Sequence, residues 1–428
     1  MLRLGVLGGA SSIRVIACFA PESVCEIRMA PSFSNSIFIS PASRLSSIKK
    51  SSALPLPRQR QVTHSVVVIY SKLMITEPFY DPTKSYYDNY EHGPFGAFKD
   101  GGVQVEKGVA AYEFFGKKIH TPFGIPAGPL LNRNYVIAAL DKGYDMPIYK
   151  TVRSGVHGCH PYPNVVPVDV EGDLTLELAN AGLVTKDSYT APLSITNSFG
   201  VPSYAPQVWQ EDVAKAVSHA KEGQAVGVSF QGTRWENTNA SNYIEDWVTT
   251  AKLVAETKPD FMEANLSCPN EGTTALLCFD VARVATIARR IKDAVGDIPL
   301  ILKISYFTDQ SLLEKLVTDV GDVIDGFATI NTISAEVRTP QGEQALPGEG
   351  RLRSGVCGTT IKWAGLDMVR RFVALRELQQ KKFLVIGVGG VMNVADYREY
   401  IDAKADVVMS ATGAMWNPSL AKEIKEAS

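Results

Sequence analysis

The sequence predicts an α/β fold: a (β/α)₈ or TIM barrel that begins near residue 119, with long loops over its C-terminal mouth. Eight short apolar segments alternate there with amphipathic segments over roughly 300 residues. Eight strands that are nearly all followed by helices are typical of this barrel. A doubly wound open sheet is the alternative, but it usually has fewer strands and a glycine-rich nucleotide motif near its start.

The predicted strands are short apolar runs, and the predicted helices carry apolar residues three and four positions apart. In Phe279–Val295, for example, Val281, Val284 and Ala288 fall on one face. The predicted strands are Pro122–Ala127, Met146–Thr151, Ala225–Phe230, Phe261–Leu266, Pro299–Ile304, Gly326–Ile330, Phe383–Val388 and Ala405–Met409. The other predicted helices are Gln207–Lys221, Tyr243–Glu256, Gln310–Val323, Ile361–Leu378 and Val394–Ala403.

Two long segments interrupt this alternation. Residues 152–206 follow the second predicted strand, and residues 333–360 follow the sixth; the first is rich in Pro, Asn, Gly and Ser, the second in Gly. Long loops without structure of their own inside a compact domain are usually functional. We expect both to lie over the C-terminal mouth, where such barrels place their chemistry.

The first 76 residues differ in composition from the rest. Residues 28–76 contain no Asp or Glu, seven Lys or Arg, and many serines. This composition is typical of an organelle transit segment, and a disordered extension is the alternative. We therefore divide the chain into residues 1–76, an extension or transit segment, and 77–428, the barrel domain. No apolar run approaches the ~18 residues of a membrane span, so we expect a soluble protein in the cytoplasm, or in an organelle matrix if the extension directs it there.

Composition and charge exclude several classes of function. The chain is 45% hydrophobic and 21% charged with a net charge of −2, which gives no reason to expect nucleic acid or an anionic membrane as a partner. Its six cysteines include no CxxC pair, and its six histidines form no HxH or HxxxH pattern. No metal site is therefore expected, and the cysteines fit free thiols in a reducing compartment.

Two lysines stand at the ends of predicted strands. Lys150, followed by Thr151, ends the second strand, and Lys303 ends the fifth. A lysine at the end of a buried strand is costly unless it meets an anion. Neither strand end supplies an adjacent carboxylate, so we favour contact with an anionic ligand or an electron-rich ring over a buried ion pair.

Small or amide residues follow the other strands. Glycine at Gly128, after Ala127, lets the backbone approach a flat ligand, and the sixth strand ends in Asn331 and Thr332. After the seventh and eighth strands the chain reads Gly389-Gly390 and Ala411-Thr412-Gly413. Barrels bind phosphate at this position through backbone N–H groups. A tight turn between strand and helix is the alternative.

The hexapeptide Asn265-Leu266-Ser267-Cys268-Pro269-Asn270 follows the fourth strand and carries two amides, a hydroxyl and a thiol. A thiol, with a reference pKa near 8.5, can exchange a proton near neutral pH if nearby lysines favour the thiolate. A structural cysteine in a polar turn is the alternative. Among the other cysteines, Cys278 is predicted to lie in the core, and the position of Cys357 is undecided.

These strand ends together resemble the flavin-dependent dihydroorotate dehydrogenases, particularly the soluble class 1 enzymes, and the related barrel domain of dihydropyrimidine dehydrogenase. The resemblance runs from about Phe114 to the C-terminus. Besides the hexapeptide and the motifs above, it rests on Phe115-Gly116, Thr121-Pro122-Phe123, Asn197 to Pro202, Ile330-Asn331-Thr332, Gly355 to Lys362, and Gly387 to Gly390.

The resemblance implies a flavin mononucleotide (FMN) across the barrel mouth, with its phosphate on the glycine turns of strands seven and eight. Lys303 would face the pyrimidine end of the flavin. The cofactor residues implied are Ala127, Gly128, Lys150, Thr151, Asn265, Lys303, Asn331, Gly358, Gly389, Gly390, Ala411 and Thr412.

It also implies a substrate stacked on the flavin. Cys268 would remove the C5 proton of dihydroorotate while a hydride leaves C6 for flavin N5, which gives orotate in de novo pyrimidine biosynthesis. The substrate residues implied are Lys150, Asn197, Phe199, Gly200, Val201, Asn265, Asn270, Asn331 and Thr332.

Departures from the family pattern leave the substrate open. The loop Glu271–Ala275 differs from the usual lid, Asn164 stands where Arg is usual, and Ser203 where Asn is usual. Another dihydropyrimidine on the same barrel is therefore one alternative, and a non-catalytic flavin-binding barrel is another.

A barrel that reduces tRNA would need a basic surface and an RNA-binding domain, and neither the net charge nor the chain layout provides them. The resemblance suggests fumarate as electron acceptor, or a partner subunit for a nicotinamide route, and a homodimer.

Overall fold

A computed structural model describes residues 77–104, 106, 108–235, 239–267 and 276–427, together with the backbone of three short strands before residue 29. The chain divides into two compact units, Met1–Ile69 and Tyr70–Ser428. In the first unit the strands form an antiparallel sheet in the order β1-β2-β3; they are β1 (Gly5–Leu7), β2 (Arg14–Phe19) and β3 (Ser23–Arg28). Whether this unit is a transit segment stays a prediction.

The second unit contains the other strands. In chain order they are β4 (Tyr112–Phe114), β5 (Lys117–Ile119), β6 (Phe123–Ile125), β7 (Met146–Val152), β8 (Val165–Asp169), β9 (Leu183–Thr185), β10 (Ser194–Asn197), β11 (Gly227–Phe230), β12 (Phe261–Asn265), β13 (Leu300–Ile304), β14 (Gly326–Thr329), β15 (Ile333–Arg338), β16 (Arg353–Gly358), β17 (Leu384–Val388) and β18 (Val407–Met409).

The helices of this unit lie mostly between strands. They are α1 (Tyr86–His92), α2 (Arg133–Asp141), α3 (Leu176–Ala181), α4 (Pro206–His219), α5 (Ala240–Ala255), α6 (Val281–Val295), α7 (Gln310–Val320), α8 (Lys362–Leu378), α9 (Val394–Asp402), α10 (Thr412–Trp416) and α11 (Leu420–Ala427). Short polar side chains cap several N-termini by accepting a backbone N–H; the capping residues include Asn132, Asn239, Asp280, Asp309 and Asn393.

The predicted barrel is confirmed. Eight strands close in the order β11-β12-β13-β14-β17-β18-β6-β7, and all neighbouring pairs are parallel. Each corresponds to one predicted strand, with ends that differ by a few residues. Inward side chains such as Met146, Ile148, Phe261 and Ile301 fill the interior, while a second apolar layer lies between the strands and the helices.

The two long segments are not loops without structure, so that part of the prediction is wrong. β8, β9 and β10 come from residues 152–206, and β15 and β16 come from residues 333–360; together they close a small second barrel. β10 lies between β8 and β16, and both pairings are antiparallel. The sequence did not show this because the small barrel closes only where β10 pairs with β16 and β9 with β15, across the two segments, and because Pro and Gly interrupt the alternation of apolar residues.

The N-terminal end of the main barrel is tied to the C-terminal helix by a buried ion pair. Lys425 Nζ of α11 donates to Asp145 Oδ1 over 2.9 Å, and the backbone N–H of Thr121 donates to Asp145 Oδ2 over 2.9 Å. Burial nevertheless raises the pKa of Asp145 to about 7, because desolvation outweighs the nearby charge of Lys425.

Among the described helices, none is long and apolar enough to cross a membrane.

This raised pKa predicts a dependence of stability on pH. Between the unfolded value near 4 and the folded value of about 7, native Asp145 keeps a proton that the unfolded chain has lost. The contribution of Asp145 to the free energy of unfolding therefore falls as pH rises through this window. In urea unfolding from pH 4 to 8, Asp145→Asn is expected to remove this part of the slope. Parallel curves for wild type and Asp145→Asn would contradict the prediction.

Candidate active site

One cavity lies at the C-terminal ends of the barrel strands and extends under the small second barrel. Its volume, with its open mouth included, is about 1110 Å³. Most of the residues predicted for the site line it: Ala127, Gly128, Lys150, Thr151, Asn197, Phe199, Gly200, Val201, Asn265, Lys303, Asn331, Thr332, Ala411 and Thr412. Strand ends distant in sequence therefore meet at one place, as the barrel topology predicts.

Lys303 is buried at the cavity floor, and its surroundings correct one sequence-based inference. Its Nζ donates a hydrogen bond to the Ala127 carbonyl over 3.1 Å. It also lies 3.7 Å from Oε1 of Glu263, a fully buried residue on the neighbouring strand β12. The statement that no carboxylate is adjacent was wrong, because Glu263 precedes the strand end by two residues and reaches Lys303 only across the sheet.

Lys150 is held differently, between aromatic rings. Its Nζ lies 5.0 Å from the ring centroid of Phe199 and 5.5 Å from that of Tyr86. Both distances lie within the range of cation–π attraction. Tyr86 belongs to α1 and Phe199 follows β10, so the N-terminal segment and the small barrel both help to position this ammonium.

An amide network joins the ends of β11, β12 and β14. Asn265 Nδ2 donates to Gln231 Oε1 over 3.2 Å, and Ser267 Oγ donates to Asn265 Oδ1 over 3.3 Å. Asn331 Nδ2 donates to Ser267 Oγ over 3.0 Å. These bonds fix the orientation of the two asparagine amides beside the cavity. Thr151 Oγ1 and Ser229 Oγ lie 3.0 Å apart and link the neighbouring strands β7 and β11.

Cys357, undecided from the sequence, lines the cavity beside Asn197. Its Sγ accepts weak hydrogen bonds from Asn197 Nδ2 and Thr412 Oγ1, each over 3.5 Å. Burial raises the pKa of the Cys357 thiol, so it stays protonated at neutral pH. Cys278 lies in the core as predicted.

Two buried arginines hold the segment from Ser198 to Val201. Arg351 Nη2 donates to the Ser198 carbonyl over 2.7 Å, and Arg153 Nε donates to the Val201 carbonyl over 2.9 Å. Gly200 and Val201 both have positive φ, 76° and 53°. Because this conformation is strained for Val201, the arginine contacts fix a shape that the segment would not hold by itself.

Three predicted glycines do not line the cavity. A Cβ at Gly358 would lie 2.3 Å from the Leu193 carbonyl oxygen, and one at Gly390 would lie 2.6 Å from Lys362 Cβ. Both positions therefore require glycine for packing. The Gly389 carbonyl accepts a hydrogen bond from Tyr400 Oη over 2.7 Å. Because a trans peptide is planar, the N–H of Gly390 points in the opposite direction, away from α9.

Two predicted residues, Cys268 and Asn270, lie outside the described residues, as does the loop Glu271–Ala275.

Sequence reasoning also missed residues that the structure places at the cavity or in contact with its lining. Tyr80 lines the cavity but lies in a segment before the barrel, and Glu263 lies inside an apolar strand. The inward period of the barrel strand, Phe261-x-Glu263-x-Asn265, is the signal that could have identified Glu263.

The described lining is electropositive. It includes Lys150 and Lys303, and none of the lining residues within the described ranges is Asp or Glu. The Glu263 carboxylate lies behind Lys303 in the barrel interior. A cavity with two ammonium groups, several amides and apolar walls can bind an anionic ring that also accepts and donates hydrogen bonds.

The chain is similar to several known proteins. The family model described as dihydroorotate dehydrogenase matches residues 179–427. A dihydroorotate dehydrogenase from Dictyostelium discoideum is 36% identical over 360 residues, which cover 81% of this chain and 96% of that protein.

Other similarities are more distant. The catalytic subunit of an NAD(+)-dependent dihydroorotate dehydrogenase B from Caldicellulosiruptor bescii is 30% identical over 189 residues, 42% of this chain and 58% of that protein. A crystal structure of a dihydroorotate dehydrogenase from Eimeria tenella, in complex with ferulenol, has the same fold, with a TM-score of 0.58 and 18% identity over 76% of this chain and 85% of that one. By the family match and the extent of the Dictyostelium similarity, this chain belongs to the dihydroorotate dehydrogenase family.

Proposed function

We propose that this protein oxidises dihydroorotate to orotate in pyrimidine biosynthesis, with FMN as its flavin. The observation that carries the proposal is the electropositive cavity in which most of the predicted site residues meet. The family is one of oxidoreductases with a flavin-type cofactor, and its named members supply the reaction. The barrel fold by itself would not identify the reaction, because barrels of this kind catalyse many different reactions.

The cavity fits a flavin in shape and charge. Gly128 has φ 141°, and a Cβ there would meet no other atom within 4 Å, so its backbone borders open space. Lys303 would lie beside the pyrimidine end of the ring, where it would stabilise the anionic reduced form. The hydroxyl of Thr412, in the cavity lining, would hold the phosphate, and the N–H of Gly390, outside the lining, would contact it where the phosphate extends beyond the cavity. When bound, FMN supplies the hydride acceptor.

The substrate residues would act through charge and hydrogen bonds. Lys150, fixed by the rings of Tyr86 and Phe199, would bind the carboxylate of dihydroorotate. The amides of Asn197, Asn265 and Asn331 would bind the ring carbonyl and N–H groups, because an amide both donates and accepts. The network around Ser267 would hold two of these amides in place before the substrate arrives.

The proposed base is Cys268. In this role it would accept the C5 proton of the substrate, and nearby ammonium groups would favour its thiolate. Cys357 is the other thiol to consider, since it lines the cavity. Burial raises the pKa of Cys357 and outweighs the opposite effect of the hydrogen bonds from Thr412 and Asn197, so this thiol stays protonated and is unsuited to accepting a proton.

Another dihydropyrimidine remains the second candidate substrate, supported by the differences at Asn164 and Ser203. Asn164 Nδ2 donates to the His160 and Ser198 carbonyls, over 3.1 and 3.2 Å, and so fixes the segment beside the cavity.

Fumarate is the proposed electron acceptor, and a homodimer is the proposed assembly. A partner subunit would be required for a nicotinamide acceptor.

Flavin reduction tests the reaction directly. Mixing the purified yellow protein with dihydroorotate without oxygen should bleach the flavin band near ~450 nm. In Cys268→Ala the rate of bleaching should fall by about 10²–10⁴-fold, because a general base is lost. Cys159→Ala is the matched control, since this half-buried thiol lies outside the cavity lining.

Three outcomes would contradict the proposal at different points. Bleaching of Cys268→Ala at the wild-type rate would show that another group is the base. A yellow protein that dihydroorotate does not bleach would show that the substrate is wrong. A protein purified without flavin would show that the cofactor assignment is wrong.

Orotate binding tests the role of Lys150. Lys150→Met removes the charge but keeps an apolar stem between the two rings. Because a hydrogen bond to a charged group contributes about 1.5–3 kcal/mol, orotate should bind about 10–100-fold more weakly. Because Lys150 is also among the cofactor residues that the resemblance implies, flavin content is measured in the same samples and affinities are compared per bound flavin. The measurement is a titration of the flavin spectrum with orotate.

Lys142→Met is the matched control for this titration. Lys142 also loses one positive charge, but it pairs with Asp100 away from the cavity. Its orotate affinity should equal that of the wild type. Equal affinities for Lys150→Met and wild type would exclude Lys150 as the carboxylate contact.

A further inference from the structure

Glu263 is a buried carboxylate that the proposed reaction does not use. It lies in the middle of β12, is 0% exposed, and points into the barrel. Neither of its oxygens accepts a hydrogen bond from any residue in the described part of the chain. An ionised carboxylate in such a place is costly unless a positive charge compensates it.

The compensating charge is Lys303. Its ammonium lies 3.7 Å from Glu263 Oε1, slightly beyond hydrogen-bond distance, and donates to Ala127 at the cavity floor. The register places Asn265 beside Lys303 and Glu263 beside Ile301, so the carboxylate lies one layer deeper than the ammonium. Lys303 therefore lies between the cavity and a negative charge.

We propose that Glu263 is a charge-balancing residue that lowers the reduction potential of the bound flavin by offsetting part of the positive charge of Lys303. This inference rests on the proposed function, because it requires a flavin in the cavity. Two electrons and one proton convert the oxidised flavin into its anionic reduced form, which carries one more negative charge. Lys303 favours that form, and Glu263 opposes it.

The balance has a chemical purpose. With Lys150 and Lys303 both charged, an uncompensated cavity would hold the anionic reduced flavin strongly. The electrons must then leave for an acceptor, and a flavin that is too easily reduced gives them up reluctantly. A negative charge behind Lys303 reduces this bias without occupying space in the cavity.

The test is the midpoint potential of the flavin in the holoenzyme, measured by reductive titration with a reference dye. Glu263→Gln keeps the shape of the side chain and removes its charge. The equilibrium should shift toward reduced flavin by about tenfold, which raises the midpoint potential by about 30 mV for a two-electron couple. Lys303→Met should shift the potential in the opposite direction.

Asp145→Asn is the matched control. At about pH 8, above the pKa of about 7 of Asp145, it also removes a buried negative charge that is paired with a lysine, but at the N-terminal end of the barrel. All the titrations are therefore run at this pH. The midpoint potential of Asp145→Asn should equal that of the wild type. A rise as large as that of Glu263→Gln would show an unspecific effect of losing a buried charge and would overturn the proposal.

A second variant covers the case in which Glu263→Gln fails to fold or to retain flavin. Glu263→Met removes the charge and fills the same space with an apolar side chain, so it leaves no unpaired polar group in the barrel interior. The same shift of about tenfold toward reduced flavin is expected. A difference from the wild type of less than about twofold in the variants that retain flavin would mean that Glu263 carries no effective charge, and the proposal would be wrong.

The potential also separates this proposal from the proposed reaction, because reduction by a chemical titrant needs no substrate. A potential that shifts in a protein that dihydroorotate does not bleach would support the role of Glu263 and exclude the substrate. Normal bleaching by dihydroorotate, with the same midpoint potential in Glu263→Gln and wild type, would support the substrate and exclude the role of Glu263. A protein without flavin would overturn both.

Discussion

Closure of the main barrel at β6 determines where the polar groups of the cavity lie. This strand pairs with β18 on one side and β7 on the other. At Gly124 an added Cβ would lie 1.9 Å from the Met146 carbonyl oxygen, so only glycine permits the approach to β7. Once the barrel is closed, the Ala127 carbonyl after β6 receives the hydrogen bond from Lys303 across the barrel.

The small second barrel completes the cavity from above. Its strand β10 carries Asn197 and leads into Phe199, whose ring contacts the Lys150 ammonium. Arg351 and Arg153 bind backbone carbonyls of this segment. Burial, and next the charge of Arg351, lower the pKa of the adjacent His160 to about 4, so this ring is neutral at neutral pH. The segment is thus held by arginine hydrogen bonds, and the adjacent His160 keeps its neutral form as the pH varies near neutrality.

The sequence predicted the main barrel well, because each of its strands is a continuous apolar run buried on both faces. The same logic predicted Lys150, Lys303 and the strand-end amides. It failed for β8 to β10 and for β15 and β16, since these strands are short, their alternating pattern is a weak signal, and their sheet closes only through the pairs β10–β16 and β9–β15 between two distant segments. It also failed for Glu263. A charged residue two positions before a strand end has meaning only when its inward direction and its neighbour on β13 are known.

Stability does not account for the pair formed by Glu263 and Lys303. An ion pair at 3.7 Å with no hydrogen bond to either carboxylate oxygen, among the described residues, recovers little of the cost of burying the carboxylate. An apolar side chain of similar volume would fill the interior beside Ile301 at lower cost. The pair is therefore better explained by its effect on the cavity. Lys303 lines the cavity floor and acts on a bound ligand, and Glu263 reduces the positive potential that Lys303 produces there. The barrel interior serves here as a low-dielectric medium in which one buried charge adjusts the effect of another.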